Sequence, residues 1–380
     1  MNFSPPFLGN EEIIEVVETL KTDWISTGPK TRQFEEQFAQ YVGTGVALAV
    51  SSATDAMQVG LAALGVQPGD EVITTAMTFC STVHVIEHLG ARPVLVDVEP
   101  DTLCIDPLAI ERAVTAKTRG LLPVHLYGHP CDMDALLELA KRHGLFVLED
   151  AAHAFPARYK GRMVGTIGTA TAFSFYATKN ITTGEGGMLT GDPNLIAKAR
   201  MWSLHGMSRD AYKRYSAEGS WFYEVLLPGF KCNMTDIQAS LGIQQLKKLA
   251  RFQDRRREVV VRYQAAFGDL PEVQRPVERP DVESAWHIYP LRLNLEALTI
   301  DRNQFIEELK ARNIGTSVHF IPIHLHPYYR DKYGYKPGDF PVAFANYQRL
   351  VSLPLHPRLS DEDVDDVIEA VRDVVVANRR

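Results

Sequence analysis

The chain has 380 residues, 45% hydrophobic and 23% charged, with a formal net charge of -7 and a pI near 6.0. That length allows two domains with sizeable cores, and the acidic balance argues against nucleic acid as the main partner. No apolar run approaches the roughly 20 residues needed to cross a bilayer, which argues against a membrane-embedded chain.

The N-terminus, MNFSPPFLGNEE, has neither the basic nor the apolar segment of a secretory signal. Cys80, Cys104, Cys131 and Cys232 are scattered without a CxxC pair. Reduced thiols in a cytoplasm fit that pattern better than a disulfide framework or a zinc site.

Helical spacing of Ile13, Ile14, Val17 and Leu20 predicts a helix over 10–22, with Asn10 as a cap. After the loop WISTGPKT, Phe34, Phe38 and Tyr41 mark a second helix. GVALAV (45–50) is a short continuous apolar run, the pattern of a strand buried on both faces. It leads through Ser51-Ser52-Ala53-Thr54-Asp55 into a helix, an arrangement that serves either as plain N-capping or as an anion cup.

The alternation continues with strands at 71–77, 92–98, 120–128, 145–150, 170–175 and 187–191, and helices between most of them. These predict an α/β domain with a seven-stranded, largely parallel sheet. Residues 193–206 read as helical, 208–230 as a polar and aromatic loop, and 231–267 as one long helix with Thr235 as cap. Beyond it, a strand (286–294), a helix (301–315), a loop rich in His, Pro and Tyr, and a final helix form a smaller α+β domain. The expected division is 1–250 and 251–380.

In such sheets, ligands sit beyond the carboxyl ends of the strands. Those ends carry Ser51 to Thr54, Thr78-Phe79, Asp150 with His153, Ser174 and, just past the run TAFSFYAT, Lys179. Alone, a lysine followed by Thr and Gly reads as a solvated loop residue, and Asp150 as a helix cap. Together these residues match the needs of one cofactor, pyridoxal 5′-phosphate (PLP). Its aldehyde requires a lysine, its phosphate a helix N-terminus with hydroxyls, and its ring nitrogen a carboxylate that keeps the pyridinium charged. Aromatic or imidazole rings such as Phe79 and His153 would fix the ring plane.

The motifs WISTGPKT, AVSSATDAM, GDEVITTAMTF, PVLVDVEPDTL, PVHLYGHPCDMDAL, EDAAHA, SFYATKNITTGEGG and GFKCNMTDIQASLGIQQL follow one another along the chain. In them the sequence resembles the DegT/StrS family of sugar aminotransferases, over essentially its whole length. The resemblance implies the fold type I of PLP-dependent transferases, with the smaller C-terminal domain. It implies that Lys179 bonds the cofactor and shuttles the substrate proton, that Asp150 pairs with the pyridine nitrogen, and that His153 and Phe79 flank the ring. Ala53, Thr54 and Ser174 then match the phosphate contacts. Asn233 matches a phosphate contact supplied by the other subunit, hence a homodimer with shared sites. Lys231, His319 and His324 are the substrate-contact candidates.

Members that remove a sugar hydroxyl have His where Lys179 stands, so the resemblance implies amination. Glutamate or glutamine would be the donor and a nucleoside-diphosphate keto-sugar the acceptor. EDAAHA, KNIT and the HG-DAY-EVL-PGFKCN stretch are most similar to members acting at C4 of the sugar; action at C3 is the alternative. An idle, cofactor-bound regulator on the same fold is the competing class, and both Lys179 and Asp150 speak against it. A metal centre on His319, His324 and His326 lacks an adjacent acid. A dinucleotide oxidoreductase lacks the G-x-G-x-x-G after its first strand.

Overall fold

The computed structural model describes residues 1–208 and 222–380. Residues 209–221, which include part of the expected loop and the DAY element, lie outside the described residues. The short apolar runs form strands buried on both faces, as unbroken runs of Val, Leu and Ala require. They are β1 (Ala47–Val50), β2 (Glu71–Thr75), β3 (Arg92–Val96), β4 (Thr118–Leu122) and β5 (Phe146–Asp150). A small hairpin, β6 (Arg158–Tyr159) and β7 (Arg162–Met163), precedes β8 (Ala170–Ser174) and β9 (Gly187–Gly191).

The main sheet has seven strands in the order β1-β9-β8-β5-β4-β2-β3. β9 runs antiparallel to both neighbours, and the pairs β8–β5, β5–β4, β4–β2 and β2–β3 are parallel. The carboxyl ends of β1, β5 and β8 therefore converge where β9 begins.

The helices of this half are α1 (Asn10–Leu20), α2 (Pro29–Val42), α3 (Ala53–Ala63), α4 (Cys80–His88), α5 (Pro107–Ala113), α6 (Met133–His143), α7 (Pro193–Ser203) and α8 (Asp236–Ala266). α3 packs over β5, β8 and β9 with Met57, Val59, Gly60 and Leu61 inward. α2 buries Phe34 and Phe38 completely; truncating either to Ala is expected to cost about 3–5 kcal/mol. The N-cap of α2 is Gly28, which has no side chain to offer. Asp236, at the start of α8, replaces it: its carboxylate accepts from Gly28 N at 2.7 Å, Thr31 N at 2.9 Å and Lys30 N at 3.0 Å. Negative charge at a helix N-terminus is favourable, and here it ties the STGPK loop to α8.

The C-terminal half adds β10 (Val273–Gln274), β11 (Val282–Glu283), β12 (Tyr289–Leu293), α9 (Arg302–Ala311), α10 (Pro327–Tyr333), α11 (Pro341–Arg349), β13 (Leu350–Leu353) and α12 (Asp361–Ala377). β10-β12-β13 form a separate sheet, while β11 joins the β6–β7 hairpin. α8 is continuous through residue 250. Leu246, Leu249 and Phe252 belong to the core beneath α2, whereas Val259, Val260 and Tyr263 belong to the core of β12, β13 and α12.

Several local expectations are corrected. The cap of α1 is Gly9, with Asn10 already helical. Ile13, Ile14, Val17 and Leu20 lie on an exposed face of α1. Residues 231–234 precede α8, because Lys231 and Asn233 are engaged in bridges to Leu204 and Val50. The stretch expected as loop after residue 324 holds α10 and α11, each opened by a proline at a first-turn position where its missing N–H costs nothing. No helix among the described residues is long and apolar enough to cross a membrane.

Candidate active site

A cavity of about 500 Å³ opens at the carboxyl ends of β1, β5 and β8. On one side, β1 turns into α3 at Ser52, whose side chain accepts from Asp55 N. Both Ser51 and Ser52 hydroxyls donate to the Asp55 carboxylate, at 2.6 and 2.8 Å, so they are already used. The amides of Ala53 and Thr54 have no carbonyl a turn behind them and remain free to bind an anion. Ser174, at the end of β8, brings a further hydroxyl to the same wall. A Cβ on Gly187 would stand 2.4 Å from the Ser52 carbonyl group, so only glycine lets β9 press against this turn.

At the opposite wall, β5 ends in Glu149 and Asp150, which face opposite sides of the sheet. Glu149 is fully buried and satisfied by His125 Nε2 at 2.8 Å, Gly168 N at 2.7 Å and Thr171 Oγ1 at 2.7 Å. Cys131 N donates to His125 Nδ1 at 3.0 Å, so the His125 proton is on Nε2 and points at Glu149.

Asp150 is the acid that faces the cavity. Thr82 Oγ1 donates to its Oδ2 at 2.8 Å and Ala152 N to its Oδ1 at 3.1 Å. Thr78 in turn stands 2.7 Å from Thr82, hydroxyl to hydroxyl. Burial raises the Asp150 carboxyl above its ordinary range, although these donors and the nearby Lys179 pull it back. A buried acid held by two donors has unused lone pairs, and a cationic ring N–H suits them.

Lys179 lies on the excursion from β8 to β9, which is closed at its base by Phe175 N to Gly186 O at 2.8 Å and Thr183 N to Phe175 O at 2.9 Å. Burial lowers the ammonium to about 8, with Asp150 opposing the shift. Among the described residues, Nζ has no hydrogen-bond partner. A buried amine without such a partner is what an aldehyde requires of its nucleophile.

The remaining wall comes from other segments. His153 is buried, its Nδ1 accepts from Tyr127 N at 3.2 Å, and burial keeps it neutral far below the usual imidazole range. The Phe320 ring stacks on His153 at 5.6 Å and reaches Phe79 at 5.8 Å. Phe79 itself is the exposed N-cap residue of α4. His319 joins the lining, stacked on Phe3 at 5.4 Å with Nδ1 2.9 Å from Ser352 Oγ, and is pushed down to about 4 by burial and by Lys179.

Eight of the sequence-derived residues thus come together on this cavity: Ala53, Thr54, Phe79, Asp150, His153, Ser174, Lys179 and His319. Three do not. His324 is fully buried against Phe340 at 4.8 Å, and so neither meets the cavity nor converges with His319. Lys231 and Asn233 bond to each other, and Asn233 to Thr27, outside the cavity lining. Sequence reasoning missed Thr82, His287 and Phe320. Thr82 was findable: it lies one helical turn after Thr78, which puts both hydroxyls on one face. His287 and Phe320 sit in segments with no local signal.

An anion cup, a lysine and a buried acid in one cavity fit PLP. The model of the DegT/DnrJ/EryC1/StrS aminotransferase family matches residues 6–372. The chain belongs to that family. Among relatives, it is 55% identical to the spore coat polysaccharide biosynthesis protein SpsC of Bacillus subtilis, over 98% of this chain and 96% of that one. Among solved structures, it resembles the PMP form of the putative sugar aminotransferase Spr1654 from Streptococcus pneumoniae, with a TM-score of 0.93, 38% identity and 99% of each chain covered. It also resembles S. venezuelae DesV in complex with a ketimine intermediate, with a TM-score of 0.88, 37% identity and 98% of each chain covered. As a DegT/DnrJ/EryC1/StrS member, the protein is a PLP-dependent sugar aminotransferase with the fold of that class. Bound PLP supplies the electron sink and carries the amino group between the two substrates.

Proposed function

We propose that the protein transfers an amino group from glutamate or glutamine to the C4 keto group of a nucleoside-diphosphate-linked keto-deoxysugar in the cytoplasm. Lys179 beside Asp150 at the strand ends is the observation that carries the reading, because it joins an available amine to a buried acid. In this assignment Lys179 bonds the cofactor and moves the proton at the substrate carbon. Asp150 holds the ring-nitrogen proton, Ala53, Thr54 and Ser174 bind the phosphate, and His153 and Phe79 flank the ring. His319 contacts the sugar from the far wall.

Similarity to a spore coat polysaccharide protein favours a sugar destined for a cell-surface polymer. Two features support a homodimer with shared sites. Ile13, Ile14, Val17, Leu20, Trp24 and Ile25 form an exposed apolar stretch that a second copy would cover. Asn233 and Lys231, which do not line their own cavity, would then serve a neighbour's.

The deciding experiment is a panel of nucleoside-diphosphate 4-keto and 3-keto sugars, each incubated with glutamate or glutamine. The expected result is amination of a 4-keto sugar. Turnover of 3-keto sugars alone would replace C4 by C3, and failure of the amino-acid half-reaction would favour a regulatory homologue.

A further inference from the structure

The turn after β4 holds a tyrosine in a backbone conformation that favours glycine. Tyr127 has φ 60° and ψ 1°, and Gly128 follows it at φ 102°. The glycine has a local reason, since a Cβ there would stand 2.9 Å from Trp286 N and 3.0 Å from the His153 carbonyl oxygen. A side chain at Tyr127 costs backbone strain that a second glycine would avoid. Such strain persists where surrounding contacts over-determine it, and it clusters beside functional sites.

Three groups of Tyr127 supply these contacts, and each meets a different histidine of the cavity wall. Its N–H donates to His153 Nδ1 at 3.2 Å. Its carbonyl accepts from His287 N at 2.9 Å. Its hydroxyl donates to the His319 carbonyl. Burial pushes the phenol far above the ordinary tyrosine range, so this donor keeps its proton. The turn is itself tied to the end of β5, where His125 N donates to Asp150 O at 3.1 Å and Asp150 N to Pro123 O at 2.8 Å. A chain of hydrogen bonds and backbone thus runs from Asp150 through Tyr127 to the C-terminal half. Any residue would make the two backbone contacts, but only this side chain supplies the hydroxyl. The His319 ring has its own supports in Phe3 and Ser352, so the hydroxyl is what fixes the backbone behind it.

Given the reading of His319 as a sugar contact, we propose that Tyr127 is a positioning residue for it. Its hydroxyl sets where the His319–Phe320 segment stands relative to the wall that carries Asp150. Without that donor the segment gains room, and the sugar meets a less ordered wall. The groups at the strand ends keep their places, so binding suffers and the chemical step does not.

Tyr127→Phe keeps the ring, the turn and both backbone contacts, and removes the hydroxyl alone. Two measurements on the PLP-loaded protein use it. The amides of Ser317 and Ile323 are bonded to Ser352 O and Ala76 O at 3.2 and 2.8 Å. Hydrogen exchange over residues 317–323 should become about tenfold faster in the variant, with β12 and β13 unchanged. For kinetics, the probe is whichever keto sugar of the panel above the wild type aminates. Its KM should rise about fivefold, with kcat and PLP uptake unchanged. Added to His319→Ala, the same substitution should raise KM no further, because the hydroxyl acts through His319. Unchanged exchange overturns the proposal. So does faster exchange with an unmoved KM, which marks a purely structural contact, or a full fivefold rise on top of His319→Ala. A KM raised by His319→Ala but not by Tyr127→Phe overturns this role alone. A KM that His319→Ala leaves unmoved overturns the sugar-contact reading and this role with it. No amination of any panel sugar overturns the proposed function and this role together.

Discussion

The cavity has two kinds of wall. Ala53, Thr54, Asp150, Ser174 and Lys179 reach it from the carboxyl ends of three strands or the turns just after them. His287, His319 and Phe320 reach it from the C-terminal half, out of segments that are neither strand nor helix. The first wall has its chemistry arranged by the sheet: a strand end, a helix N-terminus and a buried carboxylate follow from a parallel α/β topology. The second is held by contacts reaching in from other segments, such as Ser352 to His319 and Asn180 to His287. Groups fixed by the sheet are expected to carry the chemical step, and groups on the other wall to tune binding and aim.

Substitutions can break that division. Lys179→Ala, on the first wall, should remove the visible band seen on PLP loading and lower turnover by about 10⁴-fold or more; an identical band in the variant would end the assignment. Asp150→Asn should still bind cofactor but lose about 10²–10³-fold in rate, since a neutral amide no longer favours a charged pyridinium.

On the second wall, His319→Ala should raise KM for the sugar about tenfold while PLP uptake stays normal. A loss in kcat as large as that of Asp150→Asn would erase the distinction between the walls. The smallest expected change is Thr82→Val, about threefold. Thr82 donates to the charged form of Asp150, so its loss raises that carboxyl further. Protonated acid then persists to higher pH, and the acidic limb of the kcat/KM profile should move upward. A downward or absent movement would contradict the role given to the hydroxyl.

The same division explains what was legible in the sequence. Short apolar runs of Val, Leu and Ala located the seven strands, and the residues immediately after them supplied most of the first wall. Alternation along β5 puts Glu149 and Asp150 on opposite sides of the sheet, and it is the contact with His125 that takes Glu149 away from the cavity.

The second wall depends on how the C-terminal half folds back, and no local pattern in WHIYP or VHFIPIHLH encodes that. His324 shows the cost: four positions beyond Phe320, it was grouped with His319 by composition, yet it packs into the core against Phe340. α1 forms where its apolar spacing predicts it. Spacing alone does not encode which way that face turns, and Ile13, Ile14, Val17 and Leu20 are exposed.

The path of the chain around Lys179 has a consequence for local opening. β9 enters the sheet between β1 and β8, so the excursion bearing the lysine is anchored at both ends in interior strands. Freeing that segment means breaking ladders on both sides of β9. Loops near active sites usually belong to the least stable units of a protein and exchange their amide hydrogens early. Here the amides of Phe175 and Thr183, bonded at the base of the excursion, should exchange as slowly as those of β8. The nucleophile would then be among the last groups of this protein to lose its place as the chain is destabilised.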